Sequence, residues 1–524
     1  MPKPILIDTN SFKKLREKHC VYVDKTAYLR RLAVGPNACF FLARPRRFGK
    51  SVMISTLKAL FDARKDLFEG LAIAKESWEW DKYPVMHFNL SFAASAFSAE
   101  EFAQKFPLVI EDTLKKAGFD CNPKIPADVN FGLAIEELSA MNKGKGVVIL
   151  IDEYDDPVAR LLHKTDEALR VREILAGFYG QMKDRTDCIR FLMITGVSKF
   201  TKMSVFSALS NLIDLSFEDD CATMLGYTEE ELDEFFDEHL RAHAKIMGME
   251  YSAYRAELKR WFNGYRFGQC SEQTVYNPVS LGMNLYSPKR TFSNYWTTTG
   301  KASMLMNFLR RDEYLSVDLE NVSGVAESDF DVTNLNELRT VPMLYQTGYL
   351  TIADYNPYAQ AYDLRVPDEE VRQDLATLTA AYMSDRSVAW VTSLGKQLLT
   401  GKWESFLDGL KALYAALPYG PREARVQEFS YVRALMTLLR SQGVQCRVEE
   451  QQADGRADLV AEHPCGIYLF ELKVDGTAAE AVAQIRQKNY AAPYLGQQRP
   501  VWLIGLAFDR QTRQLADTLV EKQA

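Results

Sequence analysis

Apolar runs that alternate with amphipathic stretches characterise residues 1–225 of the chain. The apolar run 38–43 predicts a strand, and the segment after it predicts a helix because apolar residues recur on one helical face: Met53, Leu57, Leu60 and Phe61. Further strand candidates lie at 85–90, 146–151, 189–194 and 212–217, with helical stretches between them. This alternation predicts a doubly wound, mostly parallel α/β sheet.

From residue 226 onward the pattern becomes mostly helical, and we interpret this region as a lid. Thr228 followed by Glu231 predicts a capping box, and an apolar stripe comes after it: Leu232, Phe235, Phe236 and Leu240. The segments 344–352 and 362–367 predict a helix end and a β-hairpin, the outline of a winged helix. Acidic residues surround this hairpin, so we favour an internal docking role over DNA binding. Arg266 is either a nucleotide-sensing arginine or a partner in a structural ion pair.

Residues 422–524 return to a mixed pattern of helices and strands. A helix is predicted over 422–440, and strand candidates follow it at 444–450, 457–461, 467–473 and 501–506. A second helix, placed before the last strand, has Ala478, Ala481, Val482 and Ile485 on its apolar face. The helical residues 403–416 and the turn-forming segment 418–421 predict a linker in front of this region.

Composition limits the classes of protein to which the chain can belong. It has 524 residues, of which 47% are hydrophobic and 25% are charged, and this length requires more than one domain. Eight cysteines without a C-x-x-C pair and six unclustered histidines favour neither a disulfide framework nor a zinc site. The sequence has no signal peptide or apolar membrane span, so we expect a cytoplasmic protein without a membrane partner. A net charge of −7 argues against a globally basic nucleic-acid binder.

A phosphate-binding loop is predicted where the first strand meets the first long helix. Gly49, Lys50 and Ser51 stand at this junction, where backbone N–H groups hold phosphate oxygens. The Lys50 ammonium would reach the terminal phosphates, and the Ser51 hydroxyl would bind Mg²⁺. Arg44 occupies the position of the first glycine in the pattern G-x-x-x-x-G-K-[ST], so the alternative of an inert basic loop stays open.

Two further segments point to ATP as the ligand of this loop. The apolar run 146–151 ends in Asp152 and Glu153, and we expect Asp152 beside Mg²⁺ and Glu153 beside the attacking water. The alternative is a solvated acidic turn. Thr195 follows the strand candidate 189–194 and is placed to sense the γ-phosphate. Because ligands of doubly wound sheets bind at the carboxyl ends of the strands, these residues are expected at one edge.

In the C-terminal region two carboxylates and a lysine are predicted to converge. Glu471 and Lys473 alternate along one strand and therefore point to the same side, where Asp458 at the start of the preceding strand can meet them. The two carboxylates would hold Mg²⁺ against a scissile phosphate, and Lys473 would position the hydrolytic water. The alternative is a surface Glu/Lys pair on an edge strand.

Four segments carry a resemblance to a known family: VYVDKT (21–26), RPRRFGKS (44–51), LIDEYD (150–155) and TGVSKF (195–200). The chain resembles the bacterial AAA-ATPase-like proteins that carry a C-terminal PD-(D/E)xK nuclease-superfamily domain, and the resemblance covers most of its length. The arginine-rich loop is this family's own form of Walker A. Arg46 and Arg47 are thus expected at the ATP site, where they either clamp phosphate or face the lid.

The resemblance extends to the C-terminal region. Helix, three strands, helix and strand is the element order of the nuclease superfamily. Glu428 on the first helix is expected to add a carboxylate to the metal site, and Gln484 and Tyr490 match the family's downstream helix. This region carries no excess of basic residues, so its charge does not indicate strong DNA affinity.

Taken together, the sequence predicts an α/β protein of four parts. A P-loop NTPase domain of the AAA-ATPase-like type covers 1–225, a helical lid with a winged-helix-like region covers 226–380, a helical linker covers 381–421, and a nuclease-like domain covers 422–524. We expect ATP binding, and hydrolysis, coupled to a Mg²⁺-dependent nuclease acting on DNA. The alternative is an ATP-dependent switch whose C-terminal domain binds a partner or nucleic acid without catalysis. An oligomer is compatible with either hypothesis.

Overall fold

The computed structural model describes residues 2–35, 38–199, 211–287, 291–296, 321–330, 339–417, 424–448 and 458–523. These residues form two compact units. The first combines the described residues up to Tyr295 with those from Asn321 to Asp368, and the second combines Trp296 with those from Glu369 onward. Within the part of the chain that is described, no helix is both long and apolar enough to cross a membrane.

A five-stranded parallel sheet forms the centre of the first unit. Its strands are β1 (Cys39–Ala43), β2 (Val85–Asn89), β3 (Val147–Asp152), β4 (Ile189–Gly196) and β5 (Ile213–Asp214), and they lie in the order β2-β3-β4-β1-β5. The prediction of a doubly wound parallel sheet is therefore confirmed. The last strand is shorter than predicted, since only two of its residues pair with β1.

Seven helices accompany this sheet in the part of the chain up to β4: α1 (Phe12–Glu17), α2 (Thr26–Val34), α3 (Lys50–Phe61), α4 (Ala99–Ala117), α5 (Ala127–Met141), α6 (Asp156–Arg160) and α7 (Thr165–Gly180). Helix α3 buries the predicted apolar face. Because that face packs into the core, the amino terminus of α3 is fixed at the end of β1, and this places the loop 44–49 at the carboxyl edge of the sheet.

A helical subdomain follows the sheet, with α8 (Glu229–Phe235), α9 (Asp237–Met247), α10 (Tyr251–Phe262), α11 (Pro278–Tyr286) and the short strands β6 (Asn263–Tyr265) and β7 (Val275–Tyr276). The predicted capping box is confirmed, because Thr228 and Glu231 bond reciprocally. The Glu231 carboxylate also pairs with the Lys25 ammonium at 2.5 Å. The VYVDKT segment therefore contacts α8, and Val23 belongs to the apolar core of this helical subdomain.

A three-stranded antiparallel sheet completes the first unit. It contains β8 (Asn321–Ala326), β9 (Thr351–Asn356) and β10 (Ala361–Arg365) in the order β8-β10-β9, next to helix α12 (Thr340–Thr347). The predicted hairpin forms between β9 and β10. Arg266 donates to the carbonyl oxygens of Ala353 at 2.7 Å and Gln269 at 2.8 Å. These hydrogen bonds tie Arg266 to β9 of the hairpin and to the segment before β7, in place of the ion pair that was one of the two alternatives; the sensing role stays a prediction.

The second unit is a sheet covered by helices. The helices are α13 (Glu369–Met383), α14 (Val388–Leu399), α15 (Trp403–Ala416), α16 (Ala424–Arg440) and α17 (Ala478–Gln487). The strands are β11 (Gln445–Arg447), β12 (Leu459–His463), β13 (Gly466–Val474), β14 (Val501–Phe508) and β15 (Leu515–Lys522), paired in chain order. Only β13 and β14 are parallel. Strand β15 has no counterpart among the sequence predictions.

Helices α14 and α15 lie within the range that the sequence analysis interpreted as a linker. Their side chains Val391, Leu394, Phe406 and Leu410 are buried in one apolar cluster with Leu435 of α16. The amphipathic pattern of these helices thus reflects packing on the C-terminal sheet, and residues 388–416 contribute to its core.

Gly505 on β14 sets the distance between the sheet and α17. A Cβ atom at this position would lie 2.2 Å from the carbonyl oxygen of Ala478, in the first turn of that helix. We expect Gly505→Ala to push α17 off the sheet and to lower the free energy of unfolding by roughly 1–3 kcal/mol. Urea unfolding measures this loss, and Gly177→Ala, where a Cβ meets no atom within 4 Å, is the control. Equal midpoints for the two variants would contradict the prediction.

Candidate active sites

The loop 44–49 joins β1 to α3 and has two residues in the left-handed conformation. These are Arg47, with φ of 69°, and Gly49, with φ of 90°. Gly49 precedes the first helical residue, Lys50. Glycine adopts this conformation without strain, so Gly49 lets the chain turn directly into the helix. The result is a helix amino terminus, with its unpaired N–H groups, at the edge of a parallel sheet.

Arg44 anchors the start of this loop. Its guanidinium is buried, donates to the carbonyl oxygens of Ser216 at 2.5 Å and Cys221 at 3.2 Å, and lies 4.3 Å from the ring centroid of Phe267. Burial lowers the pKa of this guanidinium. Arg44 is not among the residues with positive φ, so its backbone does not need the glycine of the general pattern. The arginine thus replaces that glycine without strain and ties the loop to the segment after β5.

The Lys50 ammonium is buried inside the loop. It donates to the carbonyl oxygens of Arg44 at 2.7 Å and Pro45 at 2.8 Å. Burial lowers the pKa of Lys50 to about 8, against the opposing effect of nearby carboxylates, the largest of which is that of Asp152. The loop lysine and the acidic residues after β3 therefore share one electrostatic environment.

Asp152 and Thr195 meet at the ends of two neighbouring strands. Ile151 is level with Ile194 in the register of β3 and β4, which brings the next residue of each strand together. The Thr195 hydroxyl donates to Asp152 Oδ1 at 2.7 Å, and both side chains are buried. The predicted convergence of these two residues is thus present in the structure.

Glu153 has a partner that the sequence analysis missed. Its carboxylate accepts a hydrogen bond from the Ser91 hydroxyl, and its backbone has φ of 57°. Ser91 comes just after β2, which pairs with β3. No local signal marks Ser91, because the contact depends on the order of the strands.

Residues 154–155 lock the two strand ends together. Asp155 is buried and accepts from the backbone N–H groups of Val197 at 3.1 Å and Ser198 at 2.9 Å. Gly196 packs so closely on Tyr154 that a Cβ atom would lie 2.4 Å from the tyrosine ring. The segment that carries Thr195 is therefore held in place by the residues that follow Glu153.

The two remaining arginines of the loop have different partners. Arg46 pairs with Asp156, with 3.1 Å between Nη2 and Oδ1. Arg47 donates to the carbonyl oxygen of Tyr295 at 2.6 Å. Ser51, the second residue of α3, is half-buried. One arginine thus contacts the acidic segment after β3, and the other contacts the segment after α11.

In the second unit, Asp458, Glu471 and Lys473 come together. Leu459 is level with Phe470 in β12 and β13, so Asp458 stands opposite Glu471. The Asp458 carboxylate accepts from the backbone N–H of Leu472 at 2.7 Å. Lys473 Nζ lies 3.2 Å from Glu471 Oε1. Asp458, Glu471 and Lys473 are therefore neighbours, as the sequence predicts.

Gln484 of α17 joins this group from the helix. Its side-chain carbonyl accepts from Lys473 Nζ at 2.7 Å, and its amide donates to Glu471 Oε1. The amide thus holds both side chains in place. Tyr490 is partly buried against an apolar cluster of β12–β14 and α17.

Glu471 is buried, with 1% of its side chain exposed. Burial and the nearby charge of Asp458 raise the pKa of Glu471 to about 7, against the opposing effect of Lys473. Burial also raises the pKa of Asp458. The alternative of a surface pair on an edge strand does not fit, because β13 pairs on both sides.

The donor set of both sites suits a hard cation. Mg²⁺ binds through one or two carboxylates and keeps several waters, and Asp458 with Glu471, or Asp152 with the Ser51 hydroxyl, supplies such ligands. No group of three or more His, Cys, Asp or Glu side chains forms a metal cluster within the described ranges. Glu428 lies in α16, but its side chain is outside the described part of the chain.

The pKa of Glu471 predicts a pH-dependent stability. Its pKa is about 7 in the folded protein against an ordinary value of 4.5, so the folded state binds the extra proton between these values and stability falls as the pH rises through them. We expect Glu471→Gln to raise the free energy of unfolding at pH 8 by up to about 3 kcal/mol, and to have little effect below pH 4.5.

Thermal unfolding in EDTA across this pH range measures the effect of Glu471→Gln. Glu404→Gln is the control. Glu404 lies in the same unit as Glu471, but its carboxylate is exposed, so the same substitution removes no buried charge. A difference between Glu471→Gln and the wild type that does not change with pH would contradict the prediction.

Comparison with known proteins identifies two domains in the chain. The family model described as "Predicted AAA-ATPase" matches residues 6–206, and the model of the "PD-(D/E)XK nuclease superfamily" matches residues 426–518. The chain is 31% identical over 532 residues to an "Uncharacterized protein in vnfD 5'region" of Azotobacter chroococcum mcd 1, with 99% of each chain covered. No solved structure matches. The chain belongs to the family of AAA-ATPase-like proteins that carry a C-terminal domain of the PD-(D/E)XK nuclease superfamily.

Proposed function

We propose that the protein binds and hydrolyses ATP at the loop 44–51 and cleaves DNA at the site of Asp458, Glu471 and Lys473, with Mg²⁺ as the cofactor of both reactions. One observation carries this proposal: in each site a lysine ammonium stands beside buried or half-buried carboxylates. Such a set serves phosphate chemistry, because the ammonium attracts phosphate oxygens and the carboxylates attract the metal ion.

In the ATP site, Lys50 would exchange its carbonyl partners for the terminal phosphates. Ser51 and Asp152 would hold Mg²⁺, which supplies charge neutralisation of the phosphates when it is bound. Glu153 would accept the proton of the attacking water, and its hydrogen bond from Ser91 orients the carboxylate. Thr195 fixes the rotamer of Asp152 through its hydroxyl.

In the nuclease site, Asp458 and Glu471 would hold Mg²⁺, and Lys473 would position the water that attacks the scissile phosphate. The bound ion would act as a Lewis acid on the phosphate. Gln484 accepts a hydrogen bond from the Lys473 ammonium and donates one to Glu471, so it holds the two side chains beside each other.

The alternative function is an ATP-dependent switch with a non-catalytic C-terminal domain. The charge of residues 422–524 favours it, because a region without an excess of basic residues attracts DNA phosphates weakly. In that case the C-terminal domain would bind a partner or nucleic acid without cleaving it.

The ATP half of the proposal is tested with two variants. We expect Lys50→Ala to weaken ATP binding at least about tenfold, because it removes the cation of the terminal phosphates. We expect Glu153→Gln to leave binding intact and to lower the hydrolysis rate by about 10²-fold or more. Isothermal titration and phosphate release measure these effects, and Lys58→Ala on the same helix is the control. Fast hydrolysis in Glu153→Gln would refute the role of this carboxylate.

The nuclease half is tested on plasmid and single-stranded DNA with Mg²⁺ or Mn²⁺, with and without ATP. We expect Asp458→Asn to lose at least about 10²-fold in cleavage rate, because one of the two metal-binding carboxylates is neutralised. Asp475→Asn, which changes an exposed carboxylate at the end of β13, is the matched control and should cut like the wild type.

If the wild type cuts no DNA under any of these conditions, or if Asp458→Asn cuts at the wild-type rate, the nuclease proposal fails. DNA binding without cleavage would then favour the switch.

A further inference from the structure

Two arginines share the carboxylate of Asp156. Arg46 Nη2 lies 3.1 Å from Oδ1, and Arg160 Nε lies 2.7 Å from Oδ2. The Asp156 side chain is only 6% exposed, whereas 37% of Arg46 and 42% of Arg160 are accessible. The carboxylate is therefore fixed inside the protein, while the two guanidinium groups reach it from the surface.

Arg46 belongs to the electrostatic environment of Lys50. The Lys50 ammonium is held by the carbonyl oxygens of Arg44 and Pro45, and Arg46 is the next residue of the same loop. Arg46 is therefore close along the loop to the ammonium that would meet a phosphate. An arginine in this place can bind two phosphate oxygens at once through its planar fork.

Arg47 contacts a different part of the first unit. Its guanidinium donates to the Tyr295 carbonyl, and its backbone is left-handed. The exchange argued here concerns Arg46, whose pairing with a buried carboxylate is seen directly.

The second arginine lowers the cost of releasing Arg46. A buried carboxylate that loses its partner is strongly destabilising. Asp156 keeps the closer of the two arginine contacts, because Arg160 stands one turn further along α6. Arg46 is therefore free to exchange one anion for another while Asp156 remains neutralised.

We propose that Arg46 is an exchangeable phosphate ligand, which pairs with Asp156 when no triphosphate is bound and moves to the terminal phosphate of ATP, so that the site distinguishes nucleoside triphosphates from diphosphates. This inference rests on the proposed ATP binding. Because α6 follows Glu153 after two residues, the exchange also changes the charge next to the segment that carries the catalytic carboxylate.

The test compares the affinities for ATP and ADP in the full chain with Mg²⁺. We expect Arg46→Gln to weaken ATP binding about tenfold and ADP binding less than about twofold, because only ATP has the terminal phosphate. We expect Asp156→Asn to tighten ATP binding severalfold without a change for ADP, since it removes the competing anion. The double variant should bind both nucleotides like Arg46→Gln. The ratio of the ATP and ADP dissociation constants is compared within one preparation, because this ratio does not change if part of the protein is unfolded.

Arg64→Gln and Asp66→Asn form the matched control, because they break an Arg–Asp pair of the same unit that lies outside the site. The inference is overturned if Arg46→Gln weakens ATP and ADP binding equally, or if Asp156→Asn weakens ATP binding. Either result would mean that Arg46 stays paired with Asp156 when ATP binds, and the proposed ATP binding itself would not be affected. If the wild type binds neither nucleotide, the proposed function and this inference both fail.

Discussion

The hydrogen bond from Thr195 to Asp152 is the contact on which the geometry of the first site depends. It exists because β4 lies between β1 and β3, so the strand that carries Thr195 adjoins both the loop with Lys50 and the carboxylates after β3. A parallel sheet brings the carboxyl ends of its strands to one edge, and the buried apolar residues of each strand fix the register. The core thus determines the position of each polar group at this edge.

Both candidate sites hold buried charged groups next to groups of opposite charge, but on sheets of different topology. In each site, burial disfavours the charged form of a side chain, Lys50 or Glu471, and a nearby group of opposite charge offsets part of this effect. The first site uses the ends of parallel strands, whereas the second uses an antiparallel pair, in which Asp458 and Glu471 stand opposite each other. The second also takes an amide from a helix, and Gly505 allows that helix to approach the sheet.

The sequence predicted what depends on periodicity and failed where distant segments meet. Strand runs, the capping box and the common side of Glu471 and Lys473 follow from spacings of two to four residues, and the place of Asp458 follows from the pairing of two strands that are consecutive in the chain. The contact of Ser91 with Glu153 depends on strand order, and the burial of Arg44 depends on the segment after β5. The sequence interpretation of α14 and α15 as a linker was wrong, because an amphipathic pattern does not show which element packs against the apolar face. In the structure that face packs into the core of the second unit.

The Glu231 carboxylate has two functions in the first unit: it caps helix α8 and it neutralises Lys25 of the VYVDKT segment. Lys25 is tied further to the carbonyl oxygen of Thr223. A rotation of α8 away from this lysine would leave the capping box intact, because Thr228 and Glu231 move together, but it would leave a half-buried ammonium without its counter-charge. The amino-terminal segment is thereby coupled to α8, and a movement that separated the two would cost the free energy of an unpaired, half-buried charge.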